Sequence, residues 1–396
     1  MKVIIEKSNP KGIIKAPPSK SIAHRLIILS SLSKGTSVIK NIALSNDVKA
    51  TLSCIQAIGA KYLFNEDFLI VSGTNRIQIS DTLDCGECGS TLRFFIPICL
   101  LSGEKCVLTG SRKLLSRPLE VYENICKKQN ILFINDGKKI TVKGKLSPGK
   151  YVVPGNISSQ FISGLLMTLA LLPDDSEIEI TGNIESKPYI DITMSVQKLF
   201  GVSALWKDDR TLFIKGNQRY HACAAMTEGD WSNAAFLFAM GADVIGVNHS
   251  SLQGDRVCID HFSALKQGCA EIDITDCPDL GPVLFAFAAA HHGAVFTGTS
   301  RLKLKESDRS EAMAKELRKF GVNAIISDNE VIIPDHELKT PSQALFGYND
   351  HRIVMSLAYL CSLTGGVIEG AQAVNKSYPG FFEDIAKLGV KLRYEA

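Results

Sequence analysis

The chain has 396 residues, 45% of them hydrophobic and 21% charged, the composition of an ordinary soluble globular protein with enough length for two domains. Its formal net charge is only +3, so a whole-surface field for nucleic acid is excluded and any anion site must be local. No apolar run reaches about 18 residues free of charge, which argues against a transmembrane helix, and Glu6 interrupts an N-terminal apolar stretch already too short for a signal peptide. The eleven cysteines sit mostly in apolar runs (Cys54, Cys99, Cys126, Cys361) and read as small buried hydrophobes of a reducing, cytoplasmic protein. Cys85 and Cys88 have CxxC spacing, but without a second ligand pair no metal site is assigned there.

In chain order, a helix is expected from about Ser21 to Lys34, with Ile22, Leu26 and Leu29 on one face. "TSVIKNI" reads as a strand. "NDVKATLSCIQAIGA" reads as a helix with Val48, Leu52, Ile55 and Ile58 on one face, Asp47 as its cap and Gly59 as its stop. Pro118 suits the first helical position of "RPLEVYENICKKQN". "ILFINDGKKITVKG" then reads as a hairpin turning at Asn135-Asp136-Gly137, and "SALWKDDRTLFIKG" repeats it.

These pieces belong to a repeat. Six times a loop of Ser, Gly, Asp or Arg runs straight into an apolar helix, at Ser21, Ser90, Ser159, Ser232, Leu280 and His351. The period is roughly 70 residues, except for an interval of about 48 between Ser232 and Leu280, so each unit is large enough to be a small α/β module. After "DHFSALKQG" the fourth unit passes almost directly to "CAEIDITDCPDLG", leaving room for at most a rudimentary hairpin. Pro17-Pro18 and the stretch Met226 to Asp230 are the natural crossing points between modules. They divide the chain into a discontinuous domain, 1–20 plus 228–396, and an inserted domain, 21–227.

Charge is distributed oddly on this frame. Lys20, Arg25, Arg93, Arg117, Lys187, Lys305, Arg309, Arg352 and Lys376 all lie at, or within a turn of, an expected helix start. A cation there opposes the helix dipole unless an anion completes the site. Ser21, Ser90, Ser158, Ser159 and Ser186 add hydroxyls, and Gly89 permits close backbone approach. The pattern points to multiply charged small anions as ligands. Acids are the exceptions: Asp47, Asp230, Asp279, Glu306, Asp308 and Asp350. Asp47 and Asp350 read as N-caps, whereas Asp279 and Glu306, held among cations, are candidates for general base and acid.

The motifs "PPSKSIAHR", "GSTLRF", "SRPLE", "SSQF", "SKPYID", "EGD", "PD", "KESDR", "NDHR" and "NKSYPGFF" stand in an order and spacing that resembles the 5-enolpyruvylshikimate-3-phosphate synthase family across essentially the whole chain. The resemblance implies an inside-out α/β barrel fold: two domains of three βαβαββ repeats each, the fourth repeat here shortened, with the site in the cleft between domains. It implies transfer of the enolpyruvyl group of phosphoenolpyruvate to the 5-hydroxyl of shikimate 3-phosphate, with release of phosphate, a transferase step of the shikimate pathway to chorismate and the aromatic amino acids. Carried over by motif, Lys20, Gly89, Arg117, Gln160, Arg309, Arg352 and Lys376 would bind phosphoenolpyruvate. Lys20, Ser21, Arg25, Ser158, Ser159, Gln160, Ser186, Tyr189, Asp279 and Lys305 would bind shikimate 3-phosphate. Asp279 would take the hydroxyl proton, Glu306 would protonate the methylene carbon, and Lys20 would assist. No cofactor, metal, nucleic acid or membrane partner is implied, and a cytoplasmic monomer is expected.

The chain departs from the family pattern at "ECGST", where Asn-Ala-Gly-Thr is common, at Phe94, where Pro is common, and at Arg301, where some members have Asn. Trp231 reads as core or hinge packing. The nearest rival, UDP-N-acetylglucosamine enolpyruvyl transferase, carries a reactive Cys in a loop that here reads "SRKLLSRPLE". A catalytically dead anion-binding paralogue and an RNA-end-processing protein of related modules are the remaining alternatives; both carboxylates and the lysine are present, and no aromatic-basic surface motif is.

Overall fold

Parallel strands need a crossover of a dozen or more residues, usually a helix, whereas antiparallel strands can be joined by a tight turn. Both rules operate in every complete repeat of this chain. In the second repeat, strand Leu83–Asp84 leads into helix Gly89–Cys99, then parallel strand Lys105–Thr109, helix Glu120–Lys128, and the hairpin Leu132–Asn135 with Lys139–Lys143. Lys139–Lys143 returns to pair antiparallel with Lys105–Thr109. The result is one four-stranded sheet, in spatial order Leu83–Asp84, Lys105–Thr109, Lys139–Lys143 and Leu132–Asn135, with the two helices in its connections.

The computed structural model describes residues 1–66, 68–74, 76–79 and 82–395. It forms two compact units, Met1–Pro17 with Gly229–Ala396, and Pro18–Glu228. The inserted unit contains three four-stranded sheets of this kind. The third repeat runs through Lys150–Pro154, Ser159–Leu169, Ser176–Thr181, Lys187–Leu199 and the hairpin Ala204–Trp206 with Thr211–Ile214. The first repeat lacks a strand ahead of its helix Lys20–Ser31. Ala224–Met226, from the far end of the unit, fills that place parallel to Thr36–Lys40.

The discontinuous unit closes in the same manner. Its last sheet has Leu345–Phe346 parallel to Gly366–Glu369, and the N-terminal strand Lys2–Ile5 sits antiparallel between Gly366–Glu369 and the C-terminal Leu392–Glu395. Its middle sheet is complete, from Ala270–Asp273 to Glu330–Ile333. The fourth repeat is a two-stranded sheet of Ile13–Lys15 and Asp243–Ile245, with helices Trp231–Ala239 and Cys258–Gln267 and no hairpin among the described residues.

The two helices of a repeat differ. Every residue of Gly281–Ala289 is buried, and Gly89–Cys99, Ser159–Leu169 and His351–Thr364 are nearly so. A helix apolar all round belongs in a core, and these first helices pack on one another inside each unit. The second helices, such as Glu120–Lys128 and Arg309–Lys319, are amphipathic. Each unit has its own hydrophobic core, one from Ile22 to Tyr220 and one drawing Val3, Ile5 and Ile14 in with Trp231 to Val390. Trp231 belongs to the second core, stacked on Phe238 at 5.8 Å with its indole N–H donated to the Asn248 carbonyl. Cys54, Cys99, Cys126 and Cys361 are buried thiols, as their apolar settings required. Among the described residues no helix is long and apolar enough to cross a membrane.

Three local expectations need correction. The first helix spans Lys20–Ser31 with Ser19 at its cap position, so Lys20 itself is helical and the helix stops three residues early. Ser45, not Asp47, caps the second helix: its hydroxyl accepts from Val48 N, which frees the Asp47 carboxylate for other work. Pro118 precedes its helix, which begins at Glu120 behind Leu119, because a separate turn Arg112–Leu115 occupies the preceding loop.

Candidate active site

The inward-packed first helix of each repeat carries its polar loop at its N-terminus, so the repeat delivers one helix start per module to the same end of a unit. Lys20, Ser21, Arg25, Gly89, Arg117, Ser158, Ser159, Gln160, Ser186 and Tyr189 lie in the inserted unit; Asp279, Lys305, Glu306, Arg309, Arg352 and Lys376 lie in the other.

In the inserted unit, helix Gly89–Cys99 is the hub. A Cβ at Gly89 would stand 2.7 Å from Arg117 Nη1 and 3.0 Å from Arg93 Nη1, so glycine is what lets two guanidiniums lie against the helix start. Arg93 Nη1 donates to Gln160 Oε1 at 2.9 Å, and Gln160 Nε2 donates to Ser90 Oγ at 2.9 Å. Gly89, Arg117 and Gln160 are thereby gathered, and Arg93, a cation to which the motifs assign no ligand, is the residue that ties them. Ser158 caps helix Ser159–Leu169 by accepting from Gln160 N. Ser186 holds a left-handed backbone (φ 57°) at the start of Lys187–Leu199, a conformation that costs a non-glycine residue free energy and that concentrates at functional sites.

Arg25 behaves differently from a solvent-facing cation. Its guanidinium is buried and donates to Thr193 Oγ1 (2.7 Å), the Ser21 carbonyl (2.7 Å), Ser163 Oγ (3.2 Å) and the Tyr189 carbonyl (3.1 Å), over the Phe94 ring at 5.2 Å. Burial lowers its pKa to about 10. It therefore fixes Ser21 and Tyr189 in place while supplying positive potential to them. Lys20 Nζ reaches the Asp47 carboxylate at 2.6 Å, a partnership that reading Asp47 as a cap had concealed. Lys187 lies over the Trp206 ring at 4.9 Å.

In the discontinuous unit, cations and carboxylates interlock. Asp279 Oδ1 meets Arg309 Nη1 at 2.8 Å and Lys305 Nζ at 3.1 Å; Oδ2 meets Arg352 Nη2 at 3.1 Å. Arg309 also donates to Glu306 at 2.8 Å and to Asp350 at 2.9 Å, and is only 1% exposed. Arg352 Nη1 donates to the Asp279 carbonyl and to Ser232 Oγ, the serine that opens the fourth repeat. Asp350 does cap its helix, accepting from Arg352 N at 2.9 Å, and it holds Arg309 as well. Lys376 Nζ donates to the Asn349 carbonyl, beside that cap. Asp230 and Asp308 are helix caps. Arg301 is buried in the turn Ser300–Leu304 ahead of Lys305.

Electrostatics follow from the packing. Burial opposes the charge on Asp279, but Arg352, Lys305 and Arg309 outweigh it and hold the carboxyl well below the usual range. Burial likewise opposes the charge on Arg309, and Asp350, Glu306 and Asp279 overcome it, raising its pKa further. Lys305 is lowered, chiefly by burial, despite Asp279. Behind Lys20, burial and then the Lys20 and Arg25 charges push His24 well below its ordinary value, so the ring is neutral at pH 7, and burial pushes the Cys88 thiol up to about 12.

The fold and these clusters define a two-unit α/β protein whose helix starts carry cations and the carboxylates paired with them. The family model described as EPSP synthase (3-phosphoshikimate 1-carboxyvinyltransferase) matches residues 5–265 and 239–385. A 3-phosphoshikimate 1-carboxyvinyltransferase of Clostridium kluyveri is 40% identical, covering 98% of this chain and 97% of the relative. One of Clostridium perfringens is 40% identical over the full length of both. An EPSP synthase structure from Acinetobacter baumannii superposes with a TM-score of 0.80 at 20% identity over all of both chains, a likeness of fold. The chain belongs to the EPSP synthase (3-phosphoshikimate 1-carboxyvinyltransferase) family.

Proposed function

We propose that this chain transfers the carboxyvinyl group of phosphoenolpyruvate to the 5-hydroxyl of shikimate 3-phosphate and releases phosphate. The observation that carries the reading is the Asp279–Arg309–Glu306–Arg352 network, in a chain related to 3-phosphoshikimate 1-carboxyvinyltransferases from end to end. Both substrates are anions with several charges, and the cation clusters of the two units suit them.

The carboxylates of the network act first as stand-ins. Without substrate, Asp279 and Glu306 neutralise Arg309, and Asp279 also neutralises Lys305 and Arg352. An arriving phosphate and carboxylate take over those guanidiniums, through the bidentate geometry that arginine offers. Asp279 then loses the charges that suppress its basicity, and its pKa rises towards that of a working base. It removes the proton of the 5-hydroxyl. Glu306 delivers a proton to the methylene carbon, the hydroxyl oxygen bonds to C2, and a tetrahedral adduct results. Phosphate leaves from C2 as a proton leaves the methyl carbon, which restores the vinyl group.

Lys20, Gly89, Arg117 and Gln160 would receive phosphoenolpyruvate together with Arg309, Arg352 and Lys376, so the reading requires residues of both units to act on one substrate pair. Ser21, Arg25, Ser158, Ser159, Ser186, Tyr189 and Lys305 would hold shikimate 3-phosphate. Orientation of two mutually repelling anions in this way can lower a barrier by about 7–11 kcal/mol. The test is phosphate release from phosphoenolpyruvate with shikimate 3-phosphate, with UDP-N-acetylglucosamine, and with neither. Release with shikimate 3-phosphate alone is expected; release only with the nucleotide sugar, or with no acceptor, overturns the reading.

A further inference from the structure

Behind Lys20, three side chains that the proposed reaction does not use converge from three helices. His24 lies one turn into Lys20–Ser31, Asp47 lies in the first turn of Asn46–Ala57, and Cys88 caps Gly89–Cys99. One ring nitrogen, one carboxylate oxygen and one thiol sulfur all fall within 4.8 Å of one another. His24 Nε2 and Cys88 Sγ are 3.6 Å apart. With metal–sulfur and metal–nitrogen bonds of about 2.3 and 2.0–2.1 Å, a tetrahedral zinc site places its sulfur and nitrogen ligands about 3.6 Å apart. The spacing that suits a weak S–H···N contact therefore also suits two ligands of one ion.

The surroundings of the imidazole complete the case. Nδ1 lies 2.7 Å from Thr51 Oγ1, which itself donates to the Asp47 carbonyl and pairs with Thr91 Oγ1 at 2.7 Å. Thr51 Oγ1 thus holds the Nδ1 side of the ring and leaves Nε2 turned to Cys88, as a hydrogen bond at the other ring nitrogen orients a metal-binding histidine. Cys85, the other half of the CxxC spacing, is turned to the Leu83 carbonyl and takes no part. Access lies on the Lys20–Asp47 side, where the side chains keep 16% and 11% exposure while His24 and Cys88 are closed off.

We propose that His24, Asp47 and Cys88 form an inhibitory site for a divalent cation of the zinc class, coupled to Lys20 through Asp47. The ion bonds to Nε2, to the carboxylate and to sulfur, and the Cys88 proton passes to water. Thiolate and carboxylate balance the two charges of the ion. Lys20 then loses its carboxylate partner to a cation and is repelled from the place where it would meet substrate. The inhibition, but not the binding, rests on the function proposed above.

Cobalt(II) titrated into the reduced, metal-free full chain reads the site without reference to activity. The expected result is one equivalent bound, with a thiolate-to-cobalt absorption band that zinc abolishes by displacement. Cys88→Ser keeps a hydroxyl able to cap the helix, so it folds, and it should lose the band and weaken cobalt binding by at least about tenfold. Zinc at the concentration that fills the site should suppress phosphate release by the parent and spare Cys88→Ser. No band, a band unchanged in Cys88→Ser, or a filled site without inhibition each overturns the proposal. If no phosphate release is found under any condition, the absorption band alone decides whether the ion binds, and the proposed reaction is what fails.

Discussion

Asp279 and Arg309 pair within an ionic cluster that, under the proposed function, is also the reactive centre. A salt bridge in the interior is roughly neutral in net worth, but deleting one partner leaves an uncompensated charge at a cost of about 3–5 kcal/mol. Asp279→Asn retains a hydrogen-bonding group among Lys305, Arg309 and Arg352, so the variant should fold while turnover falls by about 10²–10⁴; a phosphate-release assay beside a thermal melt checks both. The same substitution has a pH signature. The folded pKa of Asp279 is depressed, so its contribution to stability is full above the unfolded value, near pH 4, and is lost as pH falls towards the folded value. Acid denaturation of the parent should therefore be steeper below about pH 4 than that of Asp279→Asn, as urea melts across that range would reveal. Arg309→Lys keeps a charge but loses the fork that spans Asp279, Glu306 and Asp350. A folded protein with at least about tenfold weaker phosphoenolpyruvate binding is expected by calorimetry; an unchanged affinity would remove Arg309 from the site. At this scale the sequence was informative where charge contradicted local rule, as at Lys20 and Arg309. It was silent on partners: nothing in "NDVKA" says that Asp47 turns to Lys20 while Ser45 caps, because both residues are good caps and only packing chooses between them.

The helix start is the working element, and Gly89 tests it most directly. Alanine is a better helix former than glycine by about 0.5–1 kcal/mol, so Gly89→Ala should melt at the same temperature or slightly higher. Its methyl group must nevertheless displace the Arg117 and Arg93 guanidiniums. The expected outcome is intact folding with a raised KM for phosphoenolpyruvate and little change in affinity for shikimate 3-phosphate. Equal loss for both substrates would mean that the methyl group disturbs the whole unit rather than one subsite. Apolar helices with polar starts were legible because a fully hydrophobic run such as "GPVLFAFAA" has no amphipathic alternative. Pro118 has the propensity for a first helical position, but Arg112–Leu115 forms its own turn and the helix begins only at Glu120.

Each unit has its own core and its own closed set of sheets, and the inserted one is continuous in sequence from Pro18 to Glu228. That segment contains Ala224–Met226, the strand its first sheet needs. Residues 18–228 alone should therefore fold cooperatively, with native-like circular dichroism and dispersed amide resonances, and should release no phosphate from phosphoenolpyruvate. A fragment ending before Ala224 should be markedly less stable, since Thr36–Lys40 would lose its parallel neighbour. Stable folding of both fragments to the same midpoint would show that the closing strand is dispensable.

The sequence by itself determined the repeat, its shortened fourth member and the mixed α/β class, and it pointed to anionic ligands, because hydrophobic period, turn residues and misplaced charge are all local signals. Only the tertiary structure decided which strands complete the first and last sheets. Lys2–Ile5 joins the last sheet and Ala224–Met226 the first, pairings that span most of a unit and leave no trace in local pattern. The same holds for the ion pairs of Asp47 and Asp350 and for the meeting of His24 with Cys88. A side chain's type is written in the sequence, but its partner depends on which helix starts the folded core sets side by side.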